Sequence, residues 1–215
     1  RDFAALGLAG DDGARWRQMI DRSHGIVLVT GPTGSGKTTT LYSTLKLLAT
    51  EDVNVSTVED PIEMVEDSFN QSQVQPQIEF DFAAGIRTLM RQDPDIIMVG
   101  EIRDLATADM AIQAALTGHL VLSTLHTNDA PTAISRLLDL GVPAHMLKVT
   151  LNGVMAQRLL RTLCPHCREP APMDAEAWAR LVRPAVVATP AQMYRPVGSL
   201  ECRNTGYLGR QGICE

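Results

Sequence analysis

The chain has 215 residues, 45% of them hydrophobic, and a formal charge of −6, which is enough for one α/β domain with a substantial core and a small appendage. The acidic balance and an aromatic content of 4% argue against a nucleic-acid motor, whose strand path needs basic and stacking side chains. No apolar run approaches a membrane span, the start lacks a signal-peptide layout, and four cysteines without an export signal read as reduced thiols or metal ligands of a cytoplasmic domain.

In chain order, residues 1–24 read as a lead-in segment with a short amphipathic helix near 14–20. The β-branched run Gly25–Thr30 predicts a buried strand, and apolar residues at helical spacing predict a helix over 38–49. Between them lies Gly31-Pro32-Thr33-Gly34-Ser35-Gly36-Lys37-Thr38, followed by Thr39. In that context the glycines let successive N–H groups curl around a β-phosphate. Lys37 then reaches the β/γ oxygens, and the Thr38 hydroxyl coordinates Mg²⁺. The sequence therefore predicts a nucleoside triphosphate site.

Strand-like runs at 54–58, 96–99 and 120–124 alternate with helical patterns at 82–91, 107–116 and 130–140, the signature of a mostly parallel, helix-covered sheet over 25–163. Glu101, just past the run at 96–99, is placed to stand beside Mg²⁺ and the γ-phosphate and to orient or deprotonate the attacking water. Its predecessor is Gly100, where such a strand usually ends in aspartate. Glu59-Asp60-Pro61-Ile62-Glu63 follows the second strand and reads either as ligand-edge carboxylates or as an acidic turn. His119 and His126 flank the strand at 120–124, so they need not share a site. Arg87 and Arg91, at helical i, i+4 spacing, suit an inter-subunit contact, a phosphate or a solvated face, and Arg103 follows Glu101 closely.

Composition shifts at Cys164, where proline, arginine and turn residues increase, and 164–215 reads as a second, smaller subdomain with a helix near 174–181. Cys164 and Cys167 form a Cys-x₂-Cys half-site for tetrahedral zinc.

Taken together, the 31–38 loop, Glu59-Asp-Pro-Ile-Glu63, the segment 91–104 and the segment 117–129 resemble the Walker A, Asp box, atypical Walker B and His box of the secretion ATPases of type II secretion and type IV pilus systems. The resemblance runs over 6–215. It implies a RecA-like P-loop fold and ATP hydrolysis with Mg²⁺. Glu101 and Glu59 would act on water and metal, and His119 and His126 would form a nucleotide-sensing box. Arg87, Arg91, Arg103 and Arg210 would meet nucleotide or neighbouring subunits. It further implies a homohexamer, peripheral at the inner membrane through a secretion platform and the cytoplasmic domain of a membrane recruiter. An upstream domain, lost from this fragment, would supply further arginines to the nucleotide site.

The wording of 154–167 is nearest to assembly enzymes carrying a zinc-binding four-cysteine module, and within them to type II secretion, with type IV pilus assembly as the alternative. A RecA-type nucleic-acid translocase is the reading from a different class. In the cysteine module Cys202 precedes Thr205-Gly-Tyr-Leu-Gly-Arg210, but Ser199 stands where the family carries its remaining cysteine. Cys164, Cys167 and Cys202 are thus the zinc candidates, with Cys214, His166 or water open as the fourth ligand.

Overall fold

The structure, a computed structural model, describes residues 3–215; Arg1 and Asp2 of the lead-in segment lie outside the described residues. The first elements are α1 (Gly10–Ile20), β1 (Gly25–Thr30), α2 (Lys37–Leu48), β2 (Val55–Glu59), β3 (Asn70–Gln73), α3 (Phe82–Leu89) and β4 (Ile96–Val99). They are followed by α4 (Leu105–Leu116), β5 (Leu120–Leu125), α5 (Ala130–Asp139), α6 (Ala144–Thr150) and β6 (Leu151–Leu163). Then come β7 (Glu169–Ala171), α7 (Ala175–Val182), β8 (Met193–Arg195) and β9 (Tyr207–Cys214). The main sheet has the order β3-β2-β4-β5-β1-β6-β9, and its pairs from β3 through β6 are parallel. The expected mostly parallel α/β sheet is therefore what forms.

Every residue of β1, β2, β4 and β5 is buried, as expected where helices cover both faces of a parallel sheet. The period of two along a strand divides these residues between two cores. Ile26, Leu28, Ile97 and Val99 pack with Ile86, Ala111 and Leu137 of α3, α4 and α5. Val27, Val29, Ile96 and Met98 pack on the other face with Trp16, Ile20, Leu41 and Leu45 of α1 and α2. Aspartates set the starts of α3, α4 and α5: Asp81, Asp104 and Asp129 each accept a hydrogen bond from the backbone N–H three residues on, satisfying a donor the helix cannot use internally.

Two compact units emerge, Arg1–Leu159 with Gly212–Glu215, and Leu160–Gln211. This differs from the expected break at 163/164. The composition change marks Cys164, but β6 runs without interruption across the division, and the end of β9 returns to the first unit. There the Ala156 and Glu215 amides each donate to the other's carbonyl at 3.0 Å. The second unit contains the antiparallel β7–β8 pair and α7, whose start is capped by Asp174. No helix among the described residues is long and apolar enough to cross a membrane.

Candidate functional site

The carboxyl ends of β1, β2, β4 and β5 lie along one edge of the parallel sheet, the edge at which such sheets place ligands. Gly31 leaves β1 at φ 148°, and a Cβ there would sit 2.3 Å from the Gln157 carbonyl oxygen, so only glycine closes this turn against β6. The loop ends at Gly36, the N-cap of α2 in left-handed geometry, which aims the first free amides of that helix at the loop's hollow. The buried Ser35 hydroxyl has no hydrogen-bond partner among the described residues. An orphaned polar atom in a loop that leads into a helix N-terminus fits a polar anionic ligand better than an empty turn.

Lys37 is buried, and its Nζ donates to the Gly31 carbonyl at 2.9 Å and the Pro32 carbonyl at 3.1 Å. Burial lowers its pKa from the ordinary lysine value, while the carboxylates of Glu101 and Glu63 pull it back up. Thr38 and Thr39 follow on the first turn of α2 and are half-buried. Pro32, Thr33 and Gly34 form the exposed lip of the loop.

Across from the lysine stands a charged cluster. One Glu101 oxygen pairs with Arg103 Nη2 at 2.8 Å, and the other lies 3.5 Å from His126 Nε2. The same Arg103 nitrogen meets Asp60 Oδ2 at 3.1 Å, and the guanidinium lies over the Phe82 ring, 5.3 Å from its centroid. Arg103 thus holds two strand-end carboxylates together. At Gly100 a Cβ would come 3.3 Å from the Phe82 ring, which would have to give by a few tenths of an ångström, and would make ordinary contact with the Glu59 Cα at 3.5 Å.

Glu59 is the last residue of β2 and is 3% exposed. Its carboxylate accepts hydrogen bonds from Tyr42 Oη at 2.5 Å, Thr57 Oγ1 at 2.7 Å and Gln71 Nε2 at 3.1 Å. Burial and then the bond to Glu59 push the Tyr42 phenol well above its usual pKa. Of the acidic segment, Glu63 is the member whose charge reaches Lys37, and Asp60 is the one tied to Arg103.

Several expected site residues fall elsewhere. His119 precedes β5, where its Nδ1–H donates to the Ala114 carbonyl at 2.9 Å. The Gly25 amide donates to the His119 carbonyl, which fixes this residue at the edge opposite the glycine loop. With the six residues of β5 between them, His119 and His126 are seven steps of ~3.3 Å apart, about 23 Å. His119 is therefore not part of this cluster. Arg87 lies exposed near the end of α3 with Nη2 4.0 Å from Met110 Sδ, and Arg91 is exposed just beyond the helix. Neither joins the charged cluster. Arg210 belongs to the second unit, where with Arg161, Thr205, Tyr207 and Gly209 it lines an open hollow.

The framework beneath the loop went unread in the sequence. Thr40 Oγ1 donates to Gln157 Oε1 at 2.8 Å, and Gln157 is 2% exposed. Thr44 donates to the Thr40 carbonyl, and Trp16 Nε1 donates to the Thr44 hydroxyl. Thr30 accepts from the Thr127 amide at 2.9 Å, tying the loop's root to the segment that carries His126. Apart from the one-turn Thr44–Thr40 bond, the partners are far apart in sequence and carry ordinary residue types, so no local signal pointed to them.

In the second unit the ligand atoms of Cys164, Cys167 and Cys202 lie within 4.8 Å of one another. A hydrogen bond from the Ser199 hydroxyl is the largest of the effects that bring the Cys202 thiol down to about 6. Cys214 is not in this set. It lies in the first unit, partly buried against the core cluster that includes Trp16 and Leu41, and burial followed by the Asp12 charge raises its thiol to about 11. His166 is exposed and outside the set as well.

The family model for "Type II/IV secretion system protein" matches residues 1–215. The chain is 61% identical over 215 residues to the type IV pilus assembly ATPase TfpB of Acinetobacter baylyi, covering 100% of this chain and 37% of that protein. It is 50% identical over 214 residues to the type II secretion system ATPase E of Vibrio cholerae, covering 100% of this chain and 42% of that one. Among solved structures it is similar to the pilus retraction motor PilT with bound ADP, at TM-score 0.66 and 38% identity, over 77% of this chain and 50% of that one. The chain thus spans about two fifths of the length of these curated relatives.

Proposed function

The chain belongs to the type II/IV secretion system protein family, and we propose that it forms the ATP-hydrolysing centre of a type IV pilus assembly motor. The observation that carries the enzymatic part is the single sheet edge on which the glycine loop, Lys37, Glu101, Arg103 and His126 meet. Lys37 would exchange the Gly31 and Pro32 carbonyls for phosphate oxygens, and the loop amides with the Ser35 hydroxyl would take up others. Glu101 would orient and deprotonate the attacking water, with Arg103 fixing its position and neutralising Asp60 beside it. His126, 3.5 Å from Glu101, would sense the state of that carboxylate. Thr38 and Glu101 would hold Mg²⁺, which when bound offsets the charge of the phosphates. Glu59, with its carboxylate taken up by Tyr42, Thr57 and Gln71, acts as a structural anchor for the β2 end.

Pilus assembly is preferred to type II secretion, the direction in which the motif wording leaned, on the 61% identity to a pilus assembly ATPase against 50% to a type II enzyme. The acidic, aromatic-poor chain supports neither DNA nor RNA as a track. A six-membered ring, cytoplasmic and recruited to the inner membrane by platform and recruiter proteins, and a zinc ion on Cys164, Cys167 and Cys202 complete the reading. The test is replacement of the chromosomal gene by a Lys37→Ala allele in the source bacterium. Loss of surface pili with intact export of type II substrates supports the proposal; lost export with normal pili overturns it in favour of secretion.

A further inference from the structure

The three clustered thiols leave one corner of a tetrahedron to be assigned. Metal–sulfur bonds of ~2.3 Å place tetrahedral sulfurs about 3.8 Å apart, and Cys167 Sγ and Cys202 Sγ are 3.8 Å apart. With a metal–oxygen bond of ~2.0 Å the sulfur–oxygen edge shortens to about 3.5 Å. The Ser199 hydroxyl lies 3.5 Å from Cys202 Sγ and 3.9 Å from Cys164 Sγ, close to the position that edge requires. Backbone amides support bound thiolates: Gly198 N–H points at Cys167 Sγ, and the N–H groups of Ser199 and Gly206 point at Cys202 Sγ, all at 3.2 to 3.3 Å. Such outer donors orient ligands and stabilise their charge. They aim N–H dipoles at the Cys167 and Cys202 sulfurs, an arrangement that suits thiolates ligating a divalent cation. The residues therefore fit a zinc-class ion.

We propose that Ser199 occupies the fourth corner, making a three-sulfur, one-oxygen site whose oxygen position exchanges with water or another small donor. This rests on the zinc reading above and deepens it. Among the described residues neither Cys214 nor His166 belongs to the cluster, and the Ser199 hydroxyl is a side-chain oxygen placed at that corner. A neutral hydroxyl binds zinc far more weakly than thiolate, and a site with three strong protein ligands and one weak one keeps an open position. The site would hold its ion more loosely than four thiolates and would accept an added nitrogen or sulfur ligand.

The experiment uses the reduced chain, stripped of metal and loaded with Co²⁺, which takes the zinc geometry and reports its ligands by colour. The wild type is expected to bind one ion with three-thiolate charge-transfer absorption and visible bands that shift when imidazole is added. Ser199→Cys is expected to raise the charge-transfer intensity by about four to three, abolish the imidazole shift, and hold Zn²⁺ more than ~10-fold tighter against a chromophoric chelator. Ser199→Ala should keep three-thiolate intensity and the imidazole shift. A wild-type spectrum that already has four-thiolate intensity and ignores imidazole overturns the assignment, and Cys214→Ser falling to three would identify the displaced ligand. Failure of the underlying zinc reading looks different: neither wild type nor Ser199→Cys takes up metal at all.

Discussion

Replacing Thr30 by valine should loosen the joint between the glycine loop and the loop that carries His126. Thr30 is 0% exposed; its hydroxyl accepts from the Thr127 amide at 2.9 Å and lies 3.1 Å from the Leu125 carbonyl and 2.6 Å from Thr127 Oγ1. Valine keeps the shape but strands a buried amide donor, a loss of about 1–3 kcal/mol. At the middle of that range a chain of this size should melt roughly 4–8 °C lower. Thr30→Ser keeps the hydroxyl and gives up only a buried methyl, about 1 kcal/mol, so it should recover most of the difference. The assay is thermal and urea unfolding of the three proteins, with nucleotide affinity and phosphate release measured in parallel. Turnover should suffer more than binding, because Lys37 and the loop amides stay in place while His126 is released. A valine variant unfolding within ~0.5 kcal/mol of wild type, the usual scatter of neutral substitutions, would refute the account of this joint.

Gly100→Asp, which restores the acidic residue usual at that place, should be destabilising by about 1–3 kcal/mol through crowding of Phe82; unchanged unfolding in urea would show that the ring yields freely. Asp129 caps α5, and its hydrogen bonds from Thr132, then the Arg158 charge, hold its carboxyl below the ordinary 3.8. A depressed acid stabilises the fold above its unfolded pKa and loses that contribution as pH falls through the folded one. Asp129→Ala should therefore melt below wild type at neutral pH and converge with it once pH drops beneath the lowered value. A gap that persists undiminished in acid would rule out the charged cap.

How legible the chain was depended on whether a feature is local. The phosphate loop is one contiguous run in which the glycines, Lys37 and Thr38 carry geometry and chemistry together, and the strand ahead of it is uniformly apolar because both faces are covered. The Ile96–Val99 strand and the alternation of helices follow from the same physics. Residues whose work is done at a distance were silent: Gln157 packs beneath the loop 117 positions from its partner Thr40, and Tyr42 holds Glu59 through a residue type common in any core. The edge strand β3 is polar and half-exposed, reading Asn-Gln-Ser-Gln, so its pairing left no hydrophobic period to detect. The two histidines illustrate the converse. The family resemblance groups them in one box, whereas the residues alone put them on either side of a strand, and the six residues of β5 hold His119 and His126 at its opposite ends.

The central claim is that Glu101 acts on the attacking water at the end of the β4 edge while Lys37 and the loop hold the nucleotide. The direct measurement is phosphate release beside ATP affinity for Glu101→Gln in the assembled full-length protein. The amide preserves volume and one contact to Arg103 but cannot take a proton, so turnover should fall by about 10²–10⁴-fold while affinity changes only a few-fold. Turnover near wild type, or affinity lost in step with turnover, would contradict it.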